Sequence, residues 1–518
     1  MKVVSAETMQ KAECLTIQDY FIPGQVLMET AGRACADYID ADYGIGKKKS
    51  AVIVAGKGNN GGDGYVIARC LQRKGWTVSV FVIAERKRIA GDAERNLLLL
   101  DPLIVHYCPE PGDLLPFQSE FLGATVIVDA LFGIGITKDV TGLYAEAVAI
   151  MNSSGSSVVA VDIPSGVDAS SGRVLGVAVK AEMTVTFAFA KLGHVIYPGR
   201  ACTGKLVTVD IGLPEEVTAA VECSTYLTAE SVRPLLKVRD RCGHKGRYGH
   251  CLIIAGSTGK TGAAALSANT AVRAGAGLVT LAVPASLNPI LEVKTTEAMT
   301  LPLEDAGKGH LREANLAAIL EAACGKDAVA LGPGISTTTD TAALVRRFVR
   351  ECSVPLVLDA DALNALADNV SILLQKKSPA IVLTPHPGEM SRLIGLSIAC
   401  IEEDRIAAAR DFAVHYGVYL VLKGAGTIVA APDGTIAING SGNPGMASGG
   451  MGDVLTGILV ALIGQGYSTL DACRLGVFLH GCAADLVARE KGEVGITASD
   501  VLERVPFAYK NIHEADNT

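Results

Sequence analysis

Short, unbroken Val/Ile-rich runs punctuate the first part of the chain at residues 51–55, 78–83, 125–129, 158–162, 184–189 and 206–209. Apolar runs of this length without polar alternation predict strands buried on both faces, as in a parallel sheet covered by helices. Ahead of them, residues 9–20 and 26–39 predict two helices broken at Pro23-Gly24, placed to cap the sheet or to pack against another subunit. The pattern then changes over 214–247, which is polar and charged and carries no strand signal, and the domain boundary is placed there. A second series follows at 250–255, 278–283, 328–331, 356–359, 380–384, 419–423 and 427–431. Its last member runs into Pro432-Asp433-Gly434, a hairpin turn leading to 436–439. Residues 453–463 and 470–489 predict helices. The expected class is α/β throughout, with a doubly wound sheet in domain 1–218 and a second α/β domain over 225–512; the halves show no repeat of one another.

Composition narrows this picture. A chain of 518 residues exceeds one ordinary core, and 49% hydrophobic residues with 56 glycines suit α/β layers joined by tight turns. A net charge of −8 disfavours a broad nucleic-acid footprint, so any phosphate must be held locally by glycine amides and a few cations. Thirteen cysteines without a Cys-x-x-Cys pair read as small buried hydrophobes in a reducing compartment. Residues 1–10 carry no basic-then-apolar signal, and no apolar run approaches the ~20 residues that span a bilayer. A cytoplasmic protein without nucleic-acid or membrane partners, and a homo-oligomer, is expected.

The first chemical sentence is Gly56-Lys57-Gly58-Asn59-Asn60-Gly61-Gly62-Asp63-Gly64, between the strand at 51–55 and a helix expected over 65–73. Its amides can gather around an anion at a helix N-terminus. The inserted Asn59-Asn60 and the Asp63-Gly64 ending depart from Gly-x-Gly-x-x-Gly, which disfavours a plain dehydrogenase; glycines serving turn geometry alone are the simpler alternative. Two more strand ends carry chemistry. Asp129 leads into Gly133-Ile134-Gly135-Ile136-Thr137-Lys138-Asp139, a phosphate-suited turn, and Asp162 leads into Pro164-Ser165-Gly166. Asn60, Asp129 and Ser165 are hard oxygen donors able to converge on one cation, leaving Asp162 free to act on a substrate, although either aspartate could merely cap its turn. These blocks, with Val26-Leu27-Met28-Glu29-Thr30-Ala31-Gly32, resemble the NAD(P)H-hydrate epimerase family over essentially the whole first domain. The resemblance implies a Rossmann-like fold, substrate binding by Asn59, Asn60, Gly61, Gly62, Asp63, the 133–139 turn and Asp162, catalysis by Asp162, and K+ on Asn60, Asp129 and Ser165. Thr30, where the family often has asparagine, is given no role.

The second sentence is Asn443-Pro444-Gly445-Met446-Ala447-Ser448-Gly449-Gly450-Met451-Gly452-Asp453, whose aspartate falls in the first turn of a helix. It resembles the anion-hole segment of ribokinase-like enzymes, in which amides stabilise a phosphoryl group in transfer and the aspartate orients or deprotonates the attacking hydroxyl. Lys423-Gly424-Ala425-Gly426-Thr427 joins two strands and can pair an ammonium with phosphate. Thr384-Pro385-His386-Pro387-Gly388-Glu389 reads as a stiff loop presenting His386 outward, as a substrate contact only. Leu358-Asp359-Ala360-Asp361-Ala362 adds carboxylates at the same edge, and His480 reads as a packed helix residue. With Leu331-Gly332-Pro333-Gly334 and 256–266, these segments resemble the ADP- or ATP-dependent NAD(P)H-hydrate dehydratases over nearly all of the second domain. The resemblance implies substrate contacts from Ala263, Gly332, His386, Pro387, Gly388, Glu389, Met390, Ser391, Arg392 and Asp453, nucleotide contacts from Lys423 to Thr427 and Asn443 to Gly452, and catalysis by Asp453 with ADP or ATP and Mg2+. Met451 stands where the family commonly has threonine.

The two resemblances join in one chemistry. Hydration of the nicotinamide 5,6 double bond leaves a C6 hydroxyl next to N1 in two epimers, and hydroxide leaves poorly, so phosphorylation followed by loss of phosphate is a plausible dehydration. A dehydratase for one epimer strands the other unless an epimerase, through an iminium-like species or ring opening, returns it. The expected substrates are hydrated NADH and NADPH (NADHX and NADPHX). The main competing expectation is a ribokinase-like small-molecule kinase fused to a nucleotide-binding domain; the other is a first domain that only binds or scaffolds.

Overall fold

The computed structural model describes residues 1–46 and 48–514, and its contacts divide the chain into one unit of Lys2–Ser224 and another that begins at Thr225. In the first, the sheet runs Val105–Tyr107, Thr77–Val82, Ser50–Ala55, Val126–Ala130, Ser157–Val161, Met183–Phe187 and Lys205–Val209. Every neighbouring pair is parallel. The apolar runs cause this: Ile53, Val54, Val128 and Val159 are fully buried, and a Val or Ile side chain buried in this way contributes about 1.5–3 kcal/mol. Helices Gly24–Tyr43 and Asn59–Arg73 cover one face, the first through Leu27, Ala31, Cys35 and Ile39 at helical spacing. Helix Gly142–Ser153 covers the other through Ala147, Val148 and Met151.

The strand order reverses between Ser50–Ala55 and Val126–Ala130, which opens a crevice beyond their carboxyl ends. The chains approach closely there. A Cβ on Gly56 would lie 2.0 Å from the Leu131 carbonyl oxygen, and one on Gly61 2.0 Å from that of Gly56.

The second unit's sheet runs Met299–Leu303, Leu278–Pro284, His250–Ile254, Ala328–Leu331, Leu356–Leu358, Ile381–Leu383, Tyr419–Leu422, Ile428–Ala430, Ile436–Asn439 and Ser224–Leu227. It is parallel as far as Tyr419–Leu422, then antiparallel through the hairpin whose turn places Gly434 at φ +86°. Its reversal lies between His250–Ile254 and Ala328–Leu331. Helices Thr261–Arg273, Met451–Gly464 and Thr469–Lys491 bury largely apolar faces in one core. Among the described residues, no helix is long and apolar enough to cross a membrane.

Several expectations need correction. The helix expected from 65 begins at Asn59, so Asn59 to Gly64 form its first turns. Glycine is a poor helix former, but here it is required by packing: a Cβ on Gly62 would lie 2.7 Å from Met28 Sδ, and one on Gly64 2.6 Å from Ala130 Cβ. The connection expected to lack strands contains Ser224–Leu227, paired in parallel with Ile436–Asn439. Lys2–Val4, Val105–Tyr107 and Ala190–Lys191 are too short to show a period. Met299–Leu303 was masked by Pro302, which an outermost strand tolerates.

Candidate active sites in the two units

At the first crevice the fold brings Asn60 and Ser165 to one backbone carbonyl, that of Phe132, and Asp129 to Ser165. Asn60 Nδ2 donates to it at 2.9 Å, and Ser165 Oγ lies 3.3 Å away. Asp129 is fully buried; its Oδ1 accepts from Ser165 Oγ at 2.6 Å and its Oδ2 from Ser165 N at 2.8 Å. No cation pairs with it among the described residues, and burial pushes its carboxyl up to about 6. Gly135, Thr137, Lys138 and Asp139 are exposed on the neighbouring turn, while Ile134 and Ile136 turn partly inward against the core.

Asp162 is not free, as the sequence reading expected. Lys191, completely buried, donates from Nζ to Asp162 Oδ1 at 2.5 Å, to Thr186 Oγ1 at 2.9 Å and to the Phe187 carbonyl at 3.1 Å. Thr186 Oγ1 also donates to Asp162 Oδ1 at 3.0 Å. Asp162 sits at φ +66°, and His194 holds that backbone: its Nδ1 accepts from the Lys191 amide, which leaves Nε2 to donate to the Asp162 carbonyl at 2.9 Å. Burial and the neighbouring Lys191 charge depress the imidazole to about 3, so it is neutral.

Other acids share this end of the sheet. Burial, then Asp162 and Glu13, hold the Asp63 carboxyl well above the usual carboxylate range. Burial and Asp162 raise Glu13 to about 7. Glu13, Thr186, Lys191 and His194 were missed in the sequence. The signal was a lysine inside the apolar run 183–192, where only a buried counter-charge accounts for it.

In the second unit, Asp359, Thr384 and Lys423, which follow three neighbouring parallel strands, converge on the start of helix Met451–Gly464. Asp359, 1% exposed, accepts at Oδ1 from Lys423 Nζ at 2.8 Å and Thr384 Oγ1 at 2.7 Å, and at Oδ2 from Thr456 Oγ1 at 2.9 Å. Burial opposes its charge, but Lys423 and the two hydroxyls outweigh it and hold the acid below its ordinary range. Lys423, whose ammonium the sequence offers to a phosphate, is thus already bonded to Asp359, with Glu389 Oε2 at 3.7 Å on its other side. Its Nζ still borders the glycine turn, 3.3 Å from where a Cβ on Gly452 would stand. Asp453 has no such partner; burial and the Asp359 charge, only partly offset by Lys423, raise it to about 7. Gly332, at φ +130°, packs so closely that a Cβ would lie 1.9 Å from the Asp359 carbonyl oxygen.

The glycine turn itself is open: Ala447, Ser448 and Gly449 are exposed. Behind it, Asp485 anchors Gly442 N and Asn443 Nδ2, each at 2.9 Å. Buried Arg405 braces the 423–427 loop through the carbonyls of Ala425, at 2.7 Å, and Lys423, at 3.2 Å. Neither Asp485 nor Arg405 was picked out in the sequence. The segment read as a loop around His386 is the start of helix Pro387–Ile394, in which His386 Nδ1 accepts from Gly388 N and Glu389 Oε2 from His386 N. Met390 is fully buried and Met451 lies in the core, so their side chains are packing groups. Arg392 is exposed and donates to Asn364 Oδ1 at 2.9 Å, while Ala263 is half-buried. His480 is buried and neutral, with Nε2 unpartnered.

Comparison with known proteins decides the family. The model described as YjeF-related protein N-terminus matches residues 24–193, and that described as NAD(P)H-hydrate dehydratase matches 251–506. The bifunctional NAD(P)H-hydrate repair enzyme of Moorella thermoacetica is 42% identical over 100% of this chain and 98% of its own length. This chain belongs to the bifunctional NAD(P)H-hydrate repair enzymes. The repair enzyme of Thermofilum pendens is 40% identical, covering 99% of this chain and 97% of its own. A solved ADP/ATP-dependent NAD(P)H-hydrate dehydratase from Bacillus subtilis is 30% identical, covering 56% of this chain and 99% of that one with a TM-score of 0.48. Both family models span the strand ends described above.

Proposed function

We propose that residues 1–218 epimerise C6 of hydrated NADH and NADPH, and that residues 225–512 dehydrate the S epimer at the expense of ADP or ATP. The match to repair enzymes along the whole chain carries this reading. The settings of Asp162 and Asp453 support their roles.

In dehydration Asp453 takes the proton of the C6 hydroxyl as that oxygen attacks the terminal phosphorus of the nucleotide, which leaves as AMP from ADP or as ADP from ATP. Amides of Gly449, Gly450, Met451 and Gly452 meet the charge that develops on the phosphoryl oxygens. The C6–O bond then breaks with its electron pair leaving on phosphate, the N1 lone pair forms N1=C6, and loss of a C5 proton restores the double bond. An acid near 7 suits the first step, because it is substantially ionised at neutral pH and still basic enough to accept a proton. Any Mg2+ would be carried chiefly by the nucleotide phosphates, as is usual for that ion; among the described residues no cluster of three His, Cys, Asp or Glu side chains forms a metal cage.

Epimerisation, by ring opening or by loss and return of water, requires a proton to move at the C6 oxygen, and Asp162 is the carboxylate assigned to it. Asn60, Asp129, Ser165 and the Phe132 carbonyl fit K+: they supply oxygens alone, and the buried Asp129 lacks a counter-charge. Bound there, K+ would supply that charge and lessen repulsion between the carboxylates and the substrate phosphates.

The test is to incubate purified protein with mixed NADHX epimers and ADP or ATP. Full recovery of absorbance near 340 nm (a property of the reduced nicotinamide) with release of inorganic phosphate is expected. A stable phosphorylated product would instead indicate a kinase.

A further inference from the structure

Lys191 is a completely buried charge beside the first site and has no part in the reactions just described. Its side chain is 0% exposed against 11% for Asp162, so the ion pair opens only on the carboxylate side. Its three acceptors, Asp162 Oδ1, Thr186 Oγ1 and the Phe187 carbonyl, use all three ammonium hydrogens. No donor remains for a ligand. The ammonium therefore acts on a substrate only through Asp162.

We infer that Lys191 is a positioning residue of the epimerase centre: its ammonium pairs with the Asp162 carboxylate and holds it turned outward, while Thr186 fixes the pair and His194 pins the backbone beneath it. This rests on Asp162 being the proton-handling group. The surrounding charges show why a cation is needed. Asp162 is faced by Glu13 from helix Ala6–Gln18 and Asp63 from helix Asn59–Arg73, and the Cys35 thiol of helix Gly24–Tyr43 senses both Asp63 and Asp162. His194 is neutral, and Arg200 acts on it from behind. Lys191 is the one cation bonded to Asp162 among the described residues. Without it, Asp162 would face two neighbouring acids with no counter-charge, which disfavours a carboxylate. With it, Asp162 has an ammonium at contact that Asp63 lacks, and burial and Asp162 hold the Asp63 carboxyl above the usual carboxylate range, so the two carboxyls sit in opposite settings.

The experiment uses the full chain without nucleotide, so that the dehydratase is idle, and follows interconversion from a single NADHX epimer by chromatography across pH. Lys191→Met is expected to lose activity at neutral pH and to move the acid limb of kcat/KM upward by about 1–3 units, the size expected for an opposite charge at contact. Thr186→Val, which keeps the charge and is the milder variant should Lys191→Met not fold, is expected to move the limb upward by less. Circular dichroism and thermal melting accompany each variant. An unmoved limb in Thr186→Val and in folded Lys191→Met, whether the rate is normal or uniformly reduced, overturns the inference while leaving Asp162 in place, provided Asp162→Asn is inactive. An active Asp162→Asn removes the underlying reading and this inference together.

Discussion

Each unit places an aspartate at a strand end or helix start beside a glycine-rich turn, and each buries one lysine among carboxylates, yet the wiring differs. In the first unit the lysine bonds the very aspartate assigned to proton transfer, Lys191 to Asp162 at 2.5 Å. In the second it bonds a neighbour, Lys423 to Asp359 at 2.8 Å, and leaves Asp453 to feel a carboxylate more strongly than an ammonium. The same residue types thus build an acid bonded directly to a buried ammonium in one place and an acid raised to about 7 beside a carboxylate in the other. What separates them is which acid receives the cation, a property of the folded strand ends that no motif states.

The largest effect should come from removing the unpartnered acid. Asp453→Asn keeps the shape of the first helical turn and the amides of the anion site, and it removes the only proton acceptor assigned to dehydration. Loss of at least ~100-fold in dehydration is expected, with nucleotide binding retained, a usual size for general acid–base work. Turnover near that of the unaltered protein, with calorimetry showing normal nucleotide affinity, would take Asp453 out of the reaction. Asp162→Asn should then act on the other half of the chemistry. It is expected to dehydrate the S epimer normally and leave roughly half of an equal mixture behind, apart from slow spontaneous exchange. Equal consumption of both epimers would make Asp162 a structural residue.

The sequence carried the α/β class, most strands and both glycine turns because these depend on local patterns: unbroken apolar runs and glycines beside strands. It also placed Asn60, Asp129 and Ser165 together, since all three lie at or just beyond the carboxyl ends of adjacent strands. Lys191, Asp359, Asp485 and Arg405 were not assigned roles because their partners lie across the sheet or on a distant helix: Asp359 meets Lys423 sixty-four residues away and Asp485 meets Asn443 forty-two away. Short strands such as Ala190–Lys191 were illegible because they have too few residues to show a period. Helix Asn59–Arg73 was shortened because glycine propensity was allowed to outvote packing that only the folded chain reveals.

A third test asks whether Lys423 and Asp359 tune Asp453 in opposite directions. With Asp453 as the proposed base its ionised form is the active one, so dehydration should rise with pH through about 7, the value to which burial and Asp359 lift it. Lys423→Met removes a nearby positive charge, raises the acid further and should move the acid limb of kcat/KM upward by about one unit. Asp359→Asn removes a negative charge and should move the limb downward by a similar amount, about one unit. Limbs that move in the same direction, or not at all, would show that the pair holds the fold without tuning the base.

The smallest effect expected is that of potassium. Asp129 is buried, is held by Ser165 and the Leu131 amide, and lies at about 6 with no counter-charge. The surrounding groups are oxygens with one formal charge, a poor match for zinc and a weak one for magnesium, which prefers water and carboxylates in octahedral geometry. Epimerisation should therefore be a few-fold faster in potassium than in a bulky organic cation at matched ionic strength. Asp129→Ala should be slower and indifferent to the salt, because the variant has lost the charge that would hold the ion. Asp162→Asn should lose activity in both salts alike, which separates the cation's contribution from that of the base. Equal rates of the unaltered protein in the two salts would leave Asp129 as a turn-forming residue bonded to Ser165, and a requirement for zinc would overturn the assignment of this oxygen cluster.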